Sequence, residues 1–158
     1  MSTRVALACA LAVVAVACRT PNIPGTEVRD TPETRSVITV LEKYRAALQA
    51  KDAGAVLALA SPAYLDTSGT PEPRDDLDWA SLQLQLPRDL AGLENVQVEF
   101  TLRRVEVQGN RAVAEVFFEQ FYRVQTPGGA VPRRDSDVHR FVLARANEDA
   151  PWQFVSGL

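Results

Sequence analysis

Residues 44–59, YRAALQAKDAGAVLAL, join the end of one predicted helix to the whole of a second, shorter one. Apolar residues in and before this stretch recur at intervals of three and four, the spacing of one helix face. They are Val37, Val40, Leu41, Tyr44 and Leu48. Asp52 is a favourable N-cap for the second helix, predicted over residues 53–60, and Pro62 ends it. A helical pair is therefore predicted near the start of the folded domain.

The first helix has clear start signals in the sequence. Thr31 is a favourable N-cap, Pro32 suits the first helical position, and the charge of Glu33 complements the helix dipole. These three residues predict that the helix, and with it the domain, begins at residue 32.

Between the second helix and the sheet, the sequence predicts a loop and a third helix. Residues 63–66 read as a short extended piece, and residues 67–74 as a loop rich in Gly and Pro. Asp75 and Asp76 are predicted to begin the helix, which carries leucines about every four residues. Pro87 is expected to kink it.

After Asn95 the apolar period changes from about four to two, which is typical of half-buried strands. The apolar positions shift parity near Arg103 and Arg104, and this slip predicts a β-bulge that bends the sheet. Gly109 and Asn110 predict a two-residue hairpin turn. The later strands are predicted over residues 111–125, 135–146 and 151–155.

Helices that precede an antiparallel meander are typical of the α+β class. We therefore expect one domain over residues 32–158. Three N-terminal helices would pack on a strongly bent antiparallel sheet of about four long strands. Such a sheet curls into a cone-like shape with an open mouth.

The N-terminus reads as a signal peptide over residues 1–17. Arg4 supplies a positive charge, residues 5–16 form an uninterrupted apolar run, and the small Ala17 precedes Cys18. The apolar run is shorter than the roughly 20 residues that a membrane-spanning helix needs. A buried core helix is the alternative, but it would stand at the extreme N-terminus before a Pro-rich segment.

Cys18 is the predicted lipidation site. A lone cysteine after a small residue, at the end of an apolar run, resembles the bacterial lipobox, although Ala15 stands where leucine is usual. The resemblance implies that the Cys18 sulfur carries a diacylglycerol, which would anchor the protein to a membrane. Cys9 would leave with the signal peptide. The alternative is a secreted protein cleaved after Ala17.

Residues 18–31 are predicted as a flexible tether behind the anchor, because Pro and Gly interrupt them. Arg19 follows the cysteine where an Asp would indicate inner-membrane retention, so delivery to the outer membrane is expected. The precursor has 17 Lys and Arg against 20 Asp and Glu, and loss of Arg4 makes the mature net charge −4. This acidic balance argues against nucleic acid as a partner.

Two stretches resemble the nuclear transport factor 2-like superfamily, which includes SnoaL-like polyketide cyclases and ketosteroid isomerase. Residues 44–59 are similar to its first two helices, and WQFVSGL, residues 152–158, is similar to its final strand. The resemblance implies a cone-shaped fold and a homodimer formed through the sheet face. It leaves the function open, because this fold carries enzymes, ligand-binding modules and interaction domains.

The resemblance to ketosteroid isomerase suggests four catalytic candidates. Tyr44 stands at the position of the tyrosine that stabilises an enolate oxygen. An ungapped match places Thr67 at the position of the catalytic Asp, with Asp66 one residue earlier. The acid partner falls near Asp137 or His139, which share one strand face. The simpler explanations are that Tyr44 packs in the core and that His139 is a structural or surface residue.

A second group of side chains is expected to line the interior of the cone, or simply to pack its core. The group comprises Tyr64, Phe118, Gln120, Tyr122 and Trp152. The sequence contains no phosphate-binding loop, no nucleophile elbow and no paired metal ligands. Asp75, Asp76 and Asp78 form an acidic cluster that could hold Ca²⁺, but helix capping and the helix dipole explain Asp75 and Asp76 more simply. No cofactor or metal is therefore predicted.

Three functions remain open. The favoured interpretation is a lipid-anchored, extracytoplasmic, non-catalytic domain that binds a small apolar ligand or a protein partner. The alternative is an enzyme similar to ketosteroid isomerase or a SnoaL-like cyclase, which moves a proton next to a carbonyl. A third is an assembly scaffold, which would show a large apolar patch and no pocket.

Overall fold

The computed structural model describes residues 20–158, so the predicted signal peptide and Cys18 lie outside the described residues. Three helices are followed by a sheet of four strands, and two short strands pair between the second and third helices. The helices are α1 (Pro32–Gln49), α2 (Ala53–Leu59) and α3 (Trp79–Ala91). The strands are β1 (Leu65–Asp66), β2 (Leu77–Asp78), β3 (Leu93–Gln108), β4 (Arg111–Thr126), β5 (Gly129–Ala144) and β6 (Gln153–Ser156).

Helix α1 begins as its sequence predicts. Thr31 is the N-cap, and its hydroxyl accepts a hydrogen bond from the Thr34 backbone N–H, while the Thr34 hydroxyl bonds back to the Thr31 N–H. This reciprocal pair satisfies two donors that the helix itself leaves unpaired. The predicted apolar stripe, Val37 to Leu48, is the buried face of the helix.

Helix α3 begins four residues later than Asp75, where the sequence predicted its start. Its N-cap is Asp78, whose carboxylate accepts from the Ser81 N–H at 2.8 Å. Leu77 and Asp78 pair with β1 before the helix starts, and this pairing holds the chain extended past Asp75. Asp75 instead accepts a hydrogen bond from the hydroxyl of Thr70 in the preceding loop. The helix continues through Pro87.

The four-stranded sheet has the order β3-β4-β5-β6, and all neighbours are antiparallel. A register shift between Leu102 and Arg104 confirms the predicted bulge, and a second shift lies between Glu94 and Gln97. Such bulges increase twist and bend long strands. The sheet is accordingly curved around the helices, which confirms the predicted α+β class.

Strand β5 begins at Gly129, six residues before the predicted start at Asp135. The turn is tighter than predicted, since Thr126 already pairs with Gly129. Pro132 lies within the strand although it has no N–H to donate. It is tolerated because β6 pairs only with residues 142–144, so β5 has a free edge at Pro132.

The core lies between α1 and the concave face of the sheet. Tyr44, Phe141 and Phe154 form its centre, with ring centroids 5.3–5.5 Å apart. Phe141 and Phe154 are fully buried. Offset and edge-to-face rings at this spacing stabilise the core beyond their buried area. The concave face therefore fixes the position of α1.

Residues 21–30 of the predicted tether pack on the domain. Asn22 pairs with Arg29, and the Asp30 N–H donates to the Pro21 carbonyl at 2.8 Å. Val28 is only 3% exposed and belongs to the core. This small N-terminal hairpin, residues 22–29, brings the start of the described chain onto the body of the domain. No helix in residues 20–158 is both long and apolar enough to span a bilayer.

Candidate functional site

A cleft of about 730 Å³ opens beside the C-terminal half of α1. Its walls come from α1, the end of α3, and the neighbouring strands β4 and β5. It is lined by Tyr44, Leu48, Asp89, Leu90, Leu93, Phe118, Gln120, Arg134, Asp135, Ser136, Asp137 and His139. Five of the residues predicted from sequence meet here: Tyr44, Phe118, Gln120, Asp137 and His139. We call this cavity the α1 cleft.

Tyr44 is the innermost polar residue of the α1 cleft. Its side chain belongs to the aromatic core, and the residue is only 6% exposed. Its hydroxyl nevertheless has no hydrogen-bond partner within residues 20–158, and it is not sealed in the core. Burial raises the pKa of Tyr44 well above its usual value, so the hydroxyl remains a neutral donor. A donor at the inner end of an open cleft, with no protein partner within residues 20–158, is suited to a ligand.

His139 and Phe118 form an aromatic wall of the cleft. Their rings stack with centroids 4.5 Å apart and an interplanar angle of 17°. Burial lowers the pKa of His139, although the nearby Asp137 carboxylate opposes this shift. The imidazole is therefore neutral at neutral pH and can donate or accept a hydrogen bond.

Carboxylates line the rim of the cleft on β5. Asp137 lies opposite Phe118 and Asp135 lies opposite Gln120 in the strand register, so all four side chains share the concave face. The Tyr122 hydroxyl donates to Asp135 at 2.5 Å, and this bond raises the pKa of Tyr122. Tyr122 thus does not line the cleft itself but is hydrogen-bonded to Asp135, which does.

Asp66 and Tyr64 lie elsewhere, against the last residues of the chain. The Asp66 carboxylate accepts from the Gly157 N–H at 2.7 Å and the Ser68 N–H at 2.9 Å. The Tyr64 hydroxyl accepts from the Leu158 N–H at 2.9 Å. Burial raises the pKa of Tyr64 to about 12. Both side chains hold the C-terminal strand, and neither lines the α1 cleft.

Trp152 also lies outside the cleft, near the N-terminal end of α1. Its indole N–H donates to the Ser36 hydroxyl at 2.9 Å, and the Arg145 guanidinium lies 4.5 Å from its ring centroid. The bond to Ser36 joins the segment just before β6 to helix α1. We therefore assign Trp152 to packing.

Asp89, Leu90 and Asp135 line the cleft and were not among the predicted site residues. The sequence placed Leu90 on the apolar stripe of α3 and implied nothing about Asp89 beside it. The parity of β4 and β5 offered a signal for Asp135, since it alternates with Asp137 and His139 on one face. No pattern in the sequence predicted that the end of α3 would lie at the mouth of the cleft.

A second and larger cavity, of about 1190 Å³, lies at the other end of the domain. The N-terminal hairpin, the start of α1 and the end of β3 form its walls. Its lining mixes both charges, as in the Arg104–Glu106 ion pair. None of the residues predicted for catalysis or the pocket lines it.

Comparisons with known proteins show the fold of this domain. A ketosteroid isomerase-like protein from Erwinia carotovora atroseptica has a TM-score of 0.65 at 15% identity, over 80% of this chain and 94% of its own. A nuclear transport factor 2-like superfamily protein from Salmonella enterica serovar Typhimurium has a TM-score of 0.60 at 16% identity, over 77% and 85%. A proposed dehydratase of the same family, from Streptomyces avermitilis, has a TM-score of 0.60 at 17% identity, over 79% and 94%.

The domain therefore has the nuclear transport factor 2-like fold, which confirms the resemblance drawn from residues 44–59 and 152–158. No protein-family model matches the chain, and no curated protein matches it. Because the structural relatives have different named activities, the fold leaves the function to be argued from the α1 cleft.

Proposed function

We propose that this protein is a lipid-anchored, extracytoplasmic domain that binds a small ligand with an apolar body in the α1 cleft. The observation that carries the proposal is the Tyr44 hydroxyl, which belongs to a buried residue, has no hydrogen-bond partner within residues 20–158, and is open to the cleft. A ligand acceptor there would satisfy this donor. A packed core would have given it a protein partner instead.

The rest of the lining supports a binding site. Leucines from α1, α3 and β3 and the Phe118 ring supply apolar surface, while Gln120 and His139 supply polar groups at fixed positions. Pockets for small molecules combine a mostly apolar wall with a few such groups, and a volume of about 300–1,000 Å³ is typical.

The binding proposal is tested with the neutral fluorescent probe N-phenylnaphthylamine and the mature protein. We expect saturable binding, which Gln120→Trp abolishes by filling the cleft. Gln125→Trp is the matched control, because Gln125 is exposed on the same strand and outside the cleft. Equal binding by both variants would contradict a site in the α1 cleft.

The anchor is tested separately by fractionating cells that express the full precursor. Wild type should enter the outer membrane, whereas Cys18→Ser should be released because it lacks the sulfur that carries the lipid. Membrane association that persists in Cys18→Ser would contradict the lipid anchor and leave the cleft proposal intact.

A second candidate function is proton transfer next to a carbonyl, and the meeting of Tyr44, Asp137 and His139 in one cleft favours it. Because Asp66 lies outside this cleft, the base would be neutral His139, with Tyr44 donating to the enolate oxygen. Deuterium uptake from heavy water by cyclic ketones would test it. Uptake that His139→Gln abolishes would support an enzyme, and no uptake by wild type would exclude one for these substrates.

We also propose that two copies associate through the convex face of the sheet, as the family resemblance implies. Phe117 of β4 and Val138 of β5 are directly paired on this face, and Phe121 lies further along it. Val138 is 42% exposed. An exposed apolar patch of this kind supports a contact between proteins.

A further inference from the structure

The charged side chains that line the α1 cleft are mostly acidic. Asp89 at the end of α3 faces the cleft from one side, and Asp135 and Asp137 of β5 face it from another. All three residues are exposed. Within the lining, two side chains can carry positive charge, Arg134 and His139.

The charge of Arg134 is directed away from the cleft. Its guanidinium forms an ion pair with Glu119 and lies 5.1 Å from the centroid of the Phe121 ring. Glu119 and Phe121 alternate with Phe118 and Gln120 along β4, so they project from the convex face. His139 is neutral at neutral pH because burial lowers its pKa. The cleft thus keeps an excess of negative charge.

The interior of the cleft suits the apolar part of a cation. The Phe118 ring forms one wall and Tyr44 lies at the bottom, so both residues supply apolar surface. The Tyr44 hydroxyl, on a residue only 6% exposed, is the independent sign that a ligand enters. The acidic rim then determines the charge that this ligand carries.

Of the three carboxylates, Asp89 and Asp137 are the freest to bind. Asp135 already accepts the Tyr122 hydroxyl at 2.5 Å. Asp137 uses one oxygen to accept the Val138 N–H at 2.6 Å and keeps the other. Asp89 accepts no side-chain hydrogen bond from residues 20–158. An ammonium group at the rim would meet these two side chains.

We propose that the ligand of the α1 cleft is an organic cation, in which an aromatic or aliphatic body fills the cleft and a protonated amine binds Asp89 and Asp137. This inference rests on the proposed binding function and names the class of its ligand. An organic anion of the same shape would be repelled by the rim, and a neutral one would lose the charge attraction.

The test compares two probes of nearly equal shape, naphthylmethylamine and naphthylmethanol, by calorimetric titration of the mature protein at neutral pH. The amine is protonated and the alcohol is neutral. We expect the amine to bind about 10-fold more tightly at low salt, with a smaller preference at high salt because exposed charges are screened.

Variants of the rim carboxylates test whether these groups cause the preference for the amine. The double variant Asp89→Asn and Asp137→Asn should lose the preference for the amine and bind both probes with similar affinity. Asp76→Asn is the matched control, because it removes a carboxylate outside the cleft, and it should keep the preference. Circular dichroism checks that each variant is folded.

The possible outcomes separate the two proposals. Equal affinity of wild type for both probes overturns the cationic ligand and leaves the binding function standing. A preference for the amine that survives in the double variant also overturns the inference, since the rim would then not be its cause. If wild type binds neither probe, both proposals fail.

Discussion

Tyr44 has two roles. Its ring packs in the core, and its hydroxyl faces the α1 cleft. The ring packs against Phe141 and Phe154, whereas the hydroxyl has no hydrogen-bond partner within residues 20–158. Tyr64 differs, because its hydroxyl bonds the backbone of Leu158. The two tyrosines are therefore expected to respond differently to the loss of one oxygen atom.

We predict that Tyr44→Phe lowers ligand affinity about 5-fold to 10-fold without lowering stability, because one net hydrogen bond contributes about 1 kcal/mol. Tyr64→Phe should lower the free energy of unfolding by about 1 kcal/mol and leave affinity unchanged. Urea unfolding and probe titration measure the two effects. A loss of stability in Tyr44→Phe would show that its hydroxyl serves the fold.

His139 predicts a pH dependence of stability. Burial lowers its pKa in the folded state, so the unfolded chain, with a pKa of about 6.5, binds the proton more readily. Its contribution to stability is therefore complete above about pH 6.5 and is lost as the pH falls towards the folded pKa.

Unfolding free energies at about pH 7.5 and about pH 5.5 test this dependence, since the two values lie on either side of the unfolded pKa. His139→Gln should lose less stability on acidification than wild type. The same loss in both proteins would show that other groups cause it.

Residue identity allowed only part of the site to be predicted. The stripe spacing of α1 placed Tyr44 correctly on the buried face, and strand parity placed Asp137 and His139 together. Asp66 was predicted to join them through family resemblance alone. Its position depends instead on hydrogen bonds from the backbone N–H groups of Ser68 and Gly157. Such backbone partners cannot be predicted from a pattern of side chains.

At the scale of elements, the start of α3 shows how neighbours override a local signal. Asp75, Asp76 and Asp78 are all favourable N-caps, so the sequence alone could not rank them. The pairing of β2 with β1 keeps the chain extended until Asp78. The helix can begin only where that pairing ends.

We predict that Asp78→Ala lowers the unfolding free energy by about 1 kcal/mol, because the Ser81 N–H loses its cap. Asp76→Ala is the control and should have a much smaller effect, since the half-buried Asp76 side chain makes no hydrogen bond within residues 20–158. Chemical denaturation of the two variants compares them directly. Equal losses would mean that the first turn of α3 is not stabilised by Asp78.

The C-terminal strand ends in a backbone position that requires glycine. Gly157 has a φ of +100°, and a Cβ there would collide with the Arg140 carbonyl oxygen. Gly109 also has a positive φ, of +58°, but open space surrounds it. Substitutions at Gly157 and Gly109 therefore separate the cost of a left-handed backbone from the cost of a steric collision.

We expect Gly157→Ala to lower the unfolding free energy by about 2–4 kcal/mol, since strain and collision add. Gly109→Ala should cost only about 1 kcal/mol, the strain of the left-handed conformation alone. Thermal and urea unfolding give both values. Similar losses would show that β6 shifts to accommodate the new methyl group.

For the whole molecule, the convex face of the sheet predicts an oligomeric state. Val138→Glu places a charge beside Phe117 and should convert the proposed dimer to a monomer. Leu84→Glu is the control, since Leu84 is more exposed, at 63%, and lies on α3. Sedimentation velocity distinguishes the two states. A monomeric wild type would contradict the dimer.

The class and curvature of the fold were predictable because they follow from patterns that repeat along the chain. Helical spacing before residue 95 and alternation after it determine the α+β class, and the parity slip near Arg103 locates the bulge. The packing of Val28 on the domain was not predictable, because a single apolar residue between prolines carries no period.

The packing of the N-terminal hairpin gives helix α1 a further role. Only Arg19, Thr20 and Pro21 separate the proposed lipid site at Cys18 from the docked hairpin, a span of about 14 Å at full extension. Tyr44 lies 12 residues beyond the start of α1, or about 18 Å along its axis. The extended segment from Cys18 to the hairpin is thus shorter than the distance along α1 from its start to Tyr44. A copy lipidated at Cys18 would therefore hold its N-terminal hairpin close to the bilayer, with the mouth of the α1 cleft farther along α1.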